Sequence, residues 1–320
     1  MATILCGVDL GGTKLGIGLV SETGAILDQG RYHDHVSKKP DAIVDDITAR
    51  IRELLARNGF SAADLRGIGV GTAGHLRFRD GVVITMSNLE GWKGYPLKER
   101  LGARFEGTGI FVDNDANAQA LGEYRYGAGA GYKSLVFMTI STQIGAGIVL
   151  DGRLLRGRTG TAGEIGHTIV EASSAELCPC GNRGCLIAHA SGVAIPGTVR
   201  RLLEGGSKST RLTLGEIAEA RLDGEFVAKG LASGDPLSVE IMDEFARYMG
   251  IGVYNIFQVF NPEAVVLGGG LMNWGAPFLE RIKRHFRGLA RDMMYEELAI
   301  LPSACEAPGI VGAASLVLET

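Results

Sequence analysis

The apolar run Ile4-Leu5-Cys6-Gly7-Val8 leads into Asp9-Leu10-Gly11-Gly12-Thr13-Lys14, and a second apolar run from Leu15 to Val20 follows at once. Two strand-length apolar segments joined by so short a glycine turn read as a hairpin, not as a strand that opens a helix. The turn suits an anion. Gly11 and Gly12 lack a Cβ, so their backbone can take positive φ and bring N–H groups against phosphate oxygens. Thr13 adds a hydroxyl donor, and Lys14 leads into the second strand. Asp9, where the first strand ends, can hold a divalent cation through water, because hard cations prefer oxygen ligands. Taken alone, a ligand-free hairpin turn would look the same.

The pattern recurs about 130 residues later. Residues 134–140 and 144–150 read as a second pair of apolar strands, with Gly145 and Gly147 near the turn and a short third strand near 153–155. Between the two hairpins, strands are expected at 25–32, 67–71, 82–85 and 110–112, after a first strand at 3–9. Ile43, Ile47, Ile51, Leu54 and Leu55 recur at spacings of three and four and predict an amphipathic helix over 42–58. From about Val193 the chain reads as mostly helical, with a long run over 236–260, then a buried strand Ala264–Leu267 that meets Gly268-Gly269-Gly270. A last helix over 310–318 is expected to pack back on the first part of the chain. The repeat suggests two duplicated α/β domains facing a cleft. The first would span 1–113, with the helix 310–320 packed on it, and the larger second one 114–309.

At 320 residues two domains are the natural expectation. A hydrophobic share of 46% with 21% charged residues describes a globular chain. A net charge of −4 offers no basic field for a polyanion, so nucleic acid is not an expected partner. No apolar stretch approaches the roughly 20 residues that a membrane span needs, and no secretory signal is visible. The five cysteines are odd in number and three lie between Cys178 and Cys185, which fits a reduced, cytoplasmic metal site better than a disulfide framework. Gly69-Val70-Gly71-Thr72-Ala73-Gly74 satisfies a dinucleotide fingerprint, but His75 to Gly81 has no helical period, so the required strand–turn–helix context is missing.

Two further clusters carry chemistry. Asp113-Asn114-Asp115 sits where a strand ends and the helix 116–124 begins. One of the three can cap that helix. Three exceed what a cap needs, and a carboxylate placed there can take a proton from a substrate hydroxyl. Farther on, His167 follows Gly163-Glu164-Ile165-Gly166, and Cys178, Cys180 and Cys185 follow within a short glycine-containing knuckle. Three thiols and an imidazole make a complete tetrahedral Zn²⁺ set, and a closed set of four is structural. Gly181 and Gly184 would supply its sharp turns. Cys6 and Cys305 read as core.

DLGGTK at Asp9–Lys14, NDANAQALGE at Asn114–Glu123, STQIGAG at Ser141–Gly147, GEIGH at Gly163–His167, CPCGNRGC at Cys178–Cys185 and GGG at Gly268–Gly270 together resemble the ROK family of bacterial sugar kinases, in order and spacing along essentially the whole chain. The resemblance implies an actin-like, hexokinase-like ATPase fold of two α/β domains around an interdomain cleft, with ATP and Mg²⁺ as cofactors. It implies Asp115 as general base, and Zn²⁺ on His167, Cys178, Cys180 and Cys185. Nucleotide contacts would come from Asp9, which also faces Mg²⁺, and from Gly11, Gly12, Thr13, Lys14, Ser141, Thr142, Gly145, Gly269 and Gly270. The sugar would be held by Gly74, Asn88, Asn114, Asp115, Glu164 and His167, and the enzyme would be a homodimer or homotetramer.

Two residues depart from the family pattern. Ile187 stands where the family usually has a Glu that accepts sugar hydroxyls, and a hydroxyl buried against an aliphatic group costs about 1–3 kcal/mol. That disfavours glucose as the best substrate and suggests a ring with a carbonyl, an altered epimer or a less polar edge there; a hexose-like sugar (glucose, mannose or an N-acyl hexosamine) and a cyclitol or keto-cyclitol both stay open, with weight toward the second. Gln143 stands in the second phosphate loop where Gly is common. A non-catalytic sugar sensor of the same fold is the reading from another class. A sugar-responsive repressor is disfavoured by the lack of room for a helix-turn-helix before the first strand.

Overall fold

The structure, a computed structural model, describes residues 4–33, 35, 39–86, 89–205, 210, 217, 221–291 and 297–319. Packing divides the chain into two compact units, Met1–Leu135 with Gly147–Gly163 and Ser303–Thr320, and Val136–Ala146 with Glu164–Pro302.

The first sheet is built from β1 (Ile4–Leu10), β2 (Leu15–Ser21), β3 (Ile26–Tyr32), β4 (Leu65–Thr72) and, after a small hairpin of β5 (His75–Arg77) and β6 (Val82–Thr85), β7 (Gly109–Asn114), in the order β3-β2-β1-β4-β7. The first three strands form an antiparallel meander, while β1, β4 and β7 run parallel. Parallel strands are buried on both faces, and the alternation along β1 shows which helix covers each. Ile4, Cys6, Val8 and Leu10 share a core with Ile43, Ile47, Ile51 and Leu54 of α1 (Pro40–Arg57). Leu5 packs instead with Ile310, Val311 and Ala314. The helical period read from the sequence is thus the buried face of α1, which starts two residues early because Pro40 takes the first helical position.

After β7 come α3 (Asp115–Tyr126), following the short α2 (Leu97–Gly102), and then the second sheet. It comprises β8 (Leu135–Ile140), β9 (Ile144–Leu150), β10 (Arg153–Leu154), β11 (Ala264–Gly268) and β12 (Ala299–Pro302), in the order β10-β9-β8-β11-β12. This is the strand succession of the first sheet over again, the topological form of the repeat seen in the sequence. Between β10 and β11 lie α4 (Leu186–Ala190), α5 (Ile195–Glu204), α6 (Gly224–Ser233) and the long α7 (Pro236–Phe260), and α8 (Ala276–Ala290) precedes β12. Asp235 caps α7 by accepting the Ser238 N–H at 3.1 Å, and Asn261 ends it in a left-handed conformation.

The C-terminal helix α9 (Pro308–Ser315) continues as a 3₁₀ turn to Leu318 and lies on the first sheet. Its backbone reaches the strands because they carry glycine at the crossing. A Cβ on Gly7 would lie 2.0 Å from the Ile310 carbonyl oxygen, and one on Gly69 would lie 1.8 Å from that of Ala313. Much of the glycine in this chain therefore serves helix–sheet contact as well as turns. Glu123 of α3 secures the segment that leads to α9. Its fully buried carboxylate accepts the N–H groups of Ala128 at 2.8 Å, Cys305 at 3.0 Å and Ala304 at 3.3 Å, and the hydroxyl of Ser303.

The residues after Gly74 form the β5–β6 hairpin, so the dinucleotide fingerprint lies on a strand and a β-turn, as its lack of a helical period required. Gly69→Ala should push backbone against backbone and lower stability by about 1–3 kcal/mol. An unchanged urea midpoint would show that α9 is not held by this contact.

Candidate active site and metal cluster

Within the first unit, the parallel strands β1, β4 and β7 end at one level, with Leu10 beside Thr72 and Thr72 beside Asn114. Asp9, the Gly11–Lys14 turn, Gly74 and Asp115 therefore all emerge at the carboxyl edge of one sheet, where open α/β sheets place their ligands.

The Gly11 N–H donates to the Lys14 carbonyl at 2.9 Å and closes the β1–β2 turn. Neither Gly11 nor Gly12 uses the positive φ that glycine allows. The hairpin closes without it, and glycine at 11 is favoured by crowding, since a Cβ there would lie 3.1 Å from the Lys14 oxygen. Two histidines unnoticed in the sequence reading brace the turn. His35 donates from Nε2 to the Gly11 carbonyl at 2.9 Å, and His33 Nδ1 meets the Thr13 carbonyl at 3.2 Å. His35 is fully buried, and its Nδ1 has no hydrogen-bond partner among the described residues.

Asp9 lies against the start of α9, where a Cβ on Gly309 would sit 2.2 Å from its Oδ2. Burial pushes its carboxyl up to about 6, opposed by Arg31 and Lys14. A carboxylate that is costly to ionise alone is one whose charge a bound cation would stabilise, so the donor fits Mg²⁺.

The polar run at the end of β7 separates into distinct tasks. Asn114 caps α3, its Oδ1 accepting the Ala116 N–H at 2.9 Å, and its Nδ2 donates to the Gly74 carbonyl at 3.3 Å. Gly74 is left-handed at φ 89°, and a Cβ there would meet the Thr85 oxygen at 2.2 Å. Asp113 is buried and hydrogen-bonded within the protein. Asp115 is half-buried at the first position of α3, with Oδ1 on the Ala116 N–H at 2.8 Å. Asn88 lies outside the described residues.

In the second unit, the β8–β9 turn and the glycines after β11 meet. The Gly270 N–H donates to Ser141 Oγ at 3.0 Å, and the Ser141 and Thr142 carbonyls accept from Gly192 at 2.8 Å and Val193 at 3.1 Å. Gly269 is left-handed at φ 91°, and a Cβ on it would lie 2.5 Å from Ile140 backbone atoms. Gln143 is exposed at the tip of the turn, and Gly145 is the second residue of β9.

Ile165–His167 forms a 3₁₀ turn that brings His167 Nε2 to 3.9 Å from Glu164 Oε2, while Nδ1 lies 3.5 Å from Cys178 Sγ. Cys180 and Cys185 Sγ atoms are 3.8 Å apart, and one atom from each of the four residues lies within 4.8 Å of the others. A tetrahedral ion with Zn–S bonds near 2.3 Å requires ligand separations of about 3.5–3.8 Å, so the cluster fits Zn²⁺. Gly181 and Gly184 are both left-handed, at φ 91° and 71°, as the knuckle's turns demand. Cys185 is the N-cap of α4, which carries Ile187, 1% exposed, against the GEIGH turn. Its Cγ1 and Cδ1 both lie 2.9 Å from where a Cβ on Gly166 would be. Cys6 and Cys305 are core, and burial pushes both thiols up to about 12.

The ROK family model matches residues 5–320. Over 317 residues the chain is 33% identical to a glucokinase from Streptomyces coelicolor, covering 98% of this chain and 97% of that protein. A ROK family glucokinase from Streptomyces griseus, solved in complex with glucose and AMPPNP, matches with a TM-score of 0.80 at 32% identity, over 99% of this chain and 100% of that one. A ROK family transcriptional regulator matches with a TM-score of 0.85 at 26% identity, over 98% of this chain and 77% of the regulator. The fold is the actin-like ATPase fold of the ROK hexokinases.

Cobalt(II) added to metal-stripped protein should give thiolate charge-transfer absorption that saturates at a single equivalent, and Cys180→Ser should weaken it. Absence of that absorption would mean that the four side chains do not form a metal site.

Proposed function

We infer from membership of the ROK family, to which this chain belongs, that the protein is an ATP-dependent sugar kinase. In the proposed reaction a ring hydroxyl loses its proton to Asp115 while its oxygen bonds to the γ-phosphorus of ATP, and ADP leaves. The observation that carries this role is the separation of tasks after β7. Asn114 serves as the cap, Asp113 is buried in protein contacts, and Asp115 is the half-buried carboxylate of the three. The N-terminal end of α3 also favours a negative charge at that position.

In this reading Gly11, Gly12, Thr13 and Lys14, with Ser141, Thr142, Gly145, Gly269 and Gly270, hold the nucleotide. The short contact between Ser141 and Gly270 supports grouping the last of these together. Asp9 would hold magnesium, which would supply positive charge to neutralise the phosphates. Gly74, Asn88, Asn114, Glu164 and His167 hold the ring. His167, with Nδ1 toward Cys178, would help hold zinc, which would fix the imidazole's tautomer and leave Nε2, beside Glu164, for a substrate hydroxyl. The enzyme is read as cytoplasmic and as a homodimer or homotetramer. No described helix is long and apolar enough to cross a membrane.

Ile187 bears on which ring is used. It is buried against Gly166, which lies in sequence between Glu164 and His167, and in this reading a ring edge without a hydroxyl at that corner loses nothing there. We therefore place a cyclitol or keto-cyclitol ahead of glucose, mannose or an N-acyl hexosamine. The likeness to a ROK family regulator keeps a non-catalytic sensor as the second reading, against which stand Asp9, the glycine turn and Asp115.

ADP release should be measured with ATP over glucose, mannose, N-acyl hexosamines and inositol derivatives. Turnover with at least one ring is expected, and binding without ADP release would favour the sensor. Ile187→Glu should raise kcat/KM for glucose relative to the preferred ring by about tenfold. An unmoved preference would reduce Ile187 to packing.

A further inference from the structure

Asp113 makes more hydrogen bonds than β7 requires, and one of them reaches a distant part of the chain. Its Oδ1 accepts the Asn114 N–H at 2.7 Å and Asn117 Nδ2 at 2.9 Å. Its Oδ2 accepts Arg156 Nε at 2.6 Å. One buried carboxylate thus pins both sides of the turn that carries Asp115. The other edge of the Arg156 guanidinium is held by Glu319, with Nη1 donating to Oε1 at 3.1 Å and Nη2 to Oε2. Glu319 is in turn placed by Arg125, whose Nη2 donates to the Leu318 carbonyl at 3.0 Å.

These groups line a cavity of about 170 Å³ together with Phe78, Phe111, Val112 and Leu316. The Arg156 guanidinium carbon stands 5.5 Å from the Phe78 ring centroid. With open space on one side, the guanidinium is held in position mainly by its two carboxylates, and removing either leaves it anchored from one side only.

We propose that Arg156, oriented by Glu319 near the C-terminus, is a positioning residue that holds Asp115 in line with the substrate hydroxyl through Asp113. The proposal rests on Asp115 being the general base. Its physical basis is that the β7–α3 turn must hold a carboxylate to within a fraction of an ångström, and small displacements of a reacting group cost large factors in rate. The C-terminal segment then serves the chemistry as well as the core.

The test compares Arg156→Gln, Arg156→Lys and Glu319→Gln with the wild type. kcat and both KM values are read alongside hydrogen exchange at the amides of residues 114–117. Arg156→Gln should lower kcat by about tenfold or more with each KM within about threefold. Arg156→Lys, which keeps the charge but loses the two-sided fork, should recover part of the loss. Glu319→Gln, on the partly exposed partner, should shift kcat in the same direction without unfolding the protein. In all three, residues 114–117 should exchange faster than in the wild type. A folded Arg156→Gln with wild-type kcat, or one whose kcat falls while exchange at 114–117 stays unchanged, overturns the proposal. If the wild type itself releases no ADP with any ring, the kinase reading has failed, and exchange alone decides whether the tether holds the turn.

Discussion

Helix α9 lies on bare backbone. With glycine at 7 and 69, its carbonyl groups come as close to β1 and β4 as a Cβ would otherwise be. That contact sets much else in the first unit. It brings Gly309 against the Asp9 carboxylate, puts Ile310 and Ala314 into the core beside Leu5, and carries the chain on to Glu319 at Arg156. Helix α9 thus lies beside β1, whose acidic end at Asp9 shares the sheet edge with Asp115 after β7.

Two sheets of like strand order follow from one plan used twice. In each, an antiparallel hairpin begins the sheet and its turn is held from outside by other parts of the same unit. His33 and His35 hold the turn between β1 and β2, and Gly192, Val193 and Gly270 hold the one between β8 and β9. Anchored carbonyls keep such a turn in one shape without a ligand, and a preformed loop binds its anion at a smaller entropic cost.

Features set by local spacing were legible in the amino-acid string. The α1 face at Ile43, Ile47 and Ile51, the strands on either side of each glycine turn, a cap by one of Asp113, Asn114 and Asp115, and the grouping of four metal-ligand types depend on near neighbours or on residue chemistry. Long-range features were not. Arg156 and Glu319 lie 163 positions apart, and no period or motif links them. His33 and His35 fall between a strand and a helix, where a polar run normally reads as loop. The role of Gly7 and Gly69 was hidden as well, because the helix that needs them is far along the chain.

The most direct test of Asp115 as proton acceptor is the steady-state rate of Asp115→Asn. That change keeps an oxygen for the Ala116 N–H while removing the basic carboxylate. With nucleotide affinity within a few-fold of the wild type, kcat should fall by about 10²–10⁴-fold. A variant that binds ATP and still turns over at close to the wild-type rate would contradict the assignment.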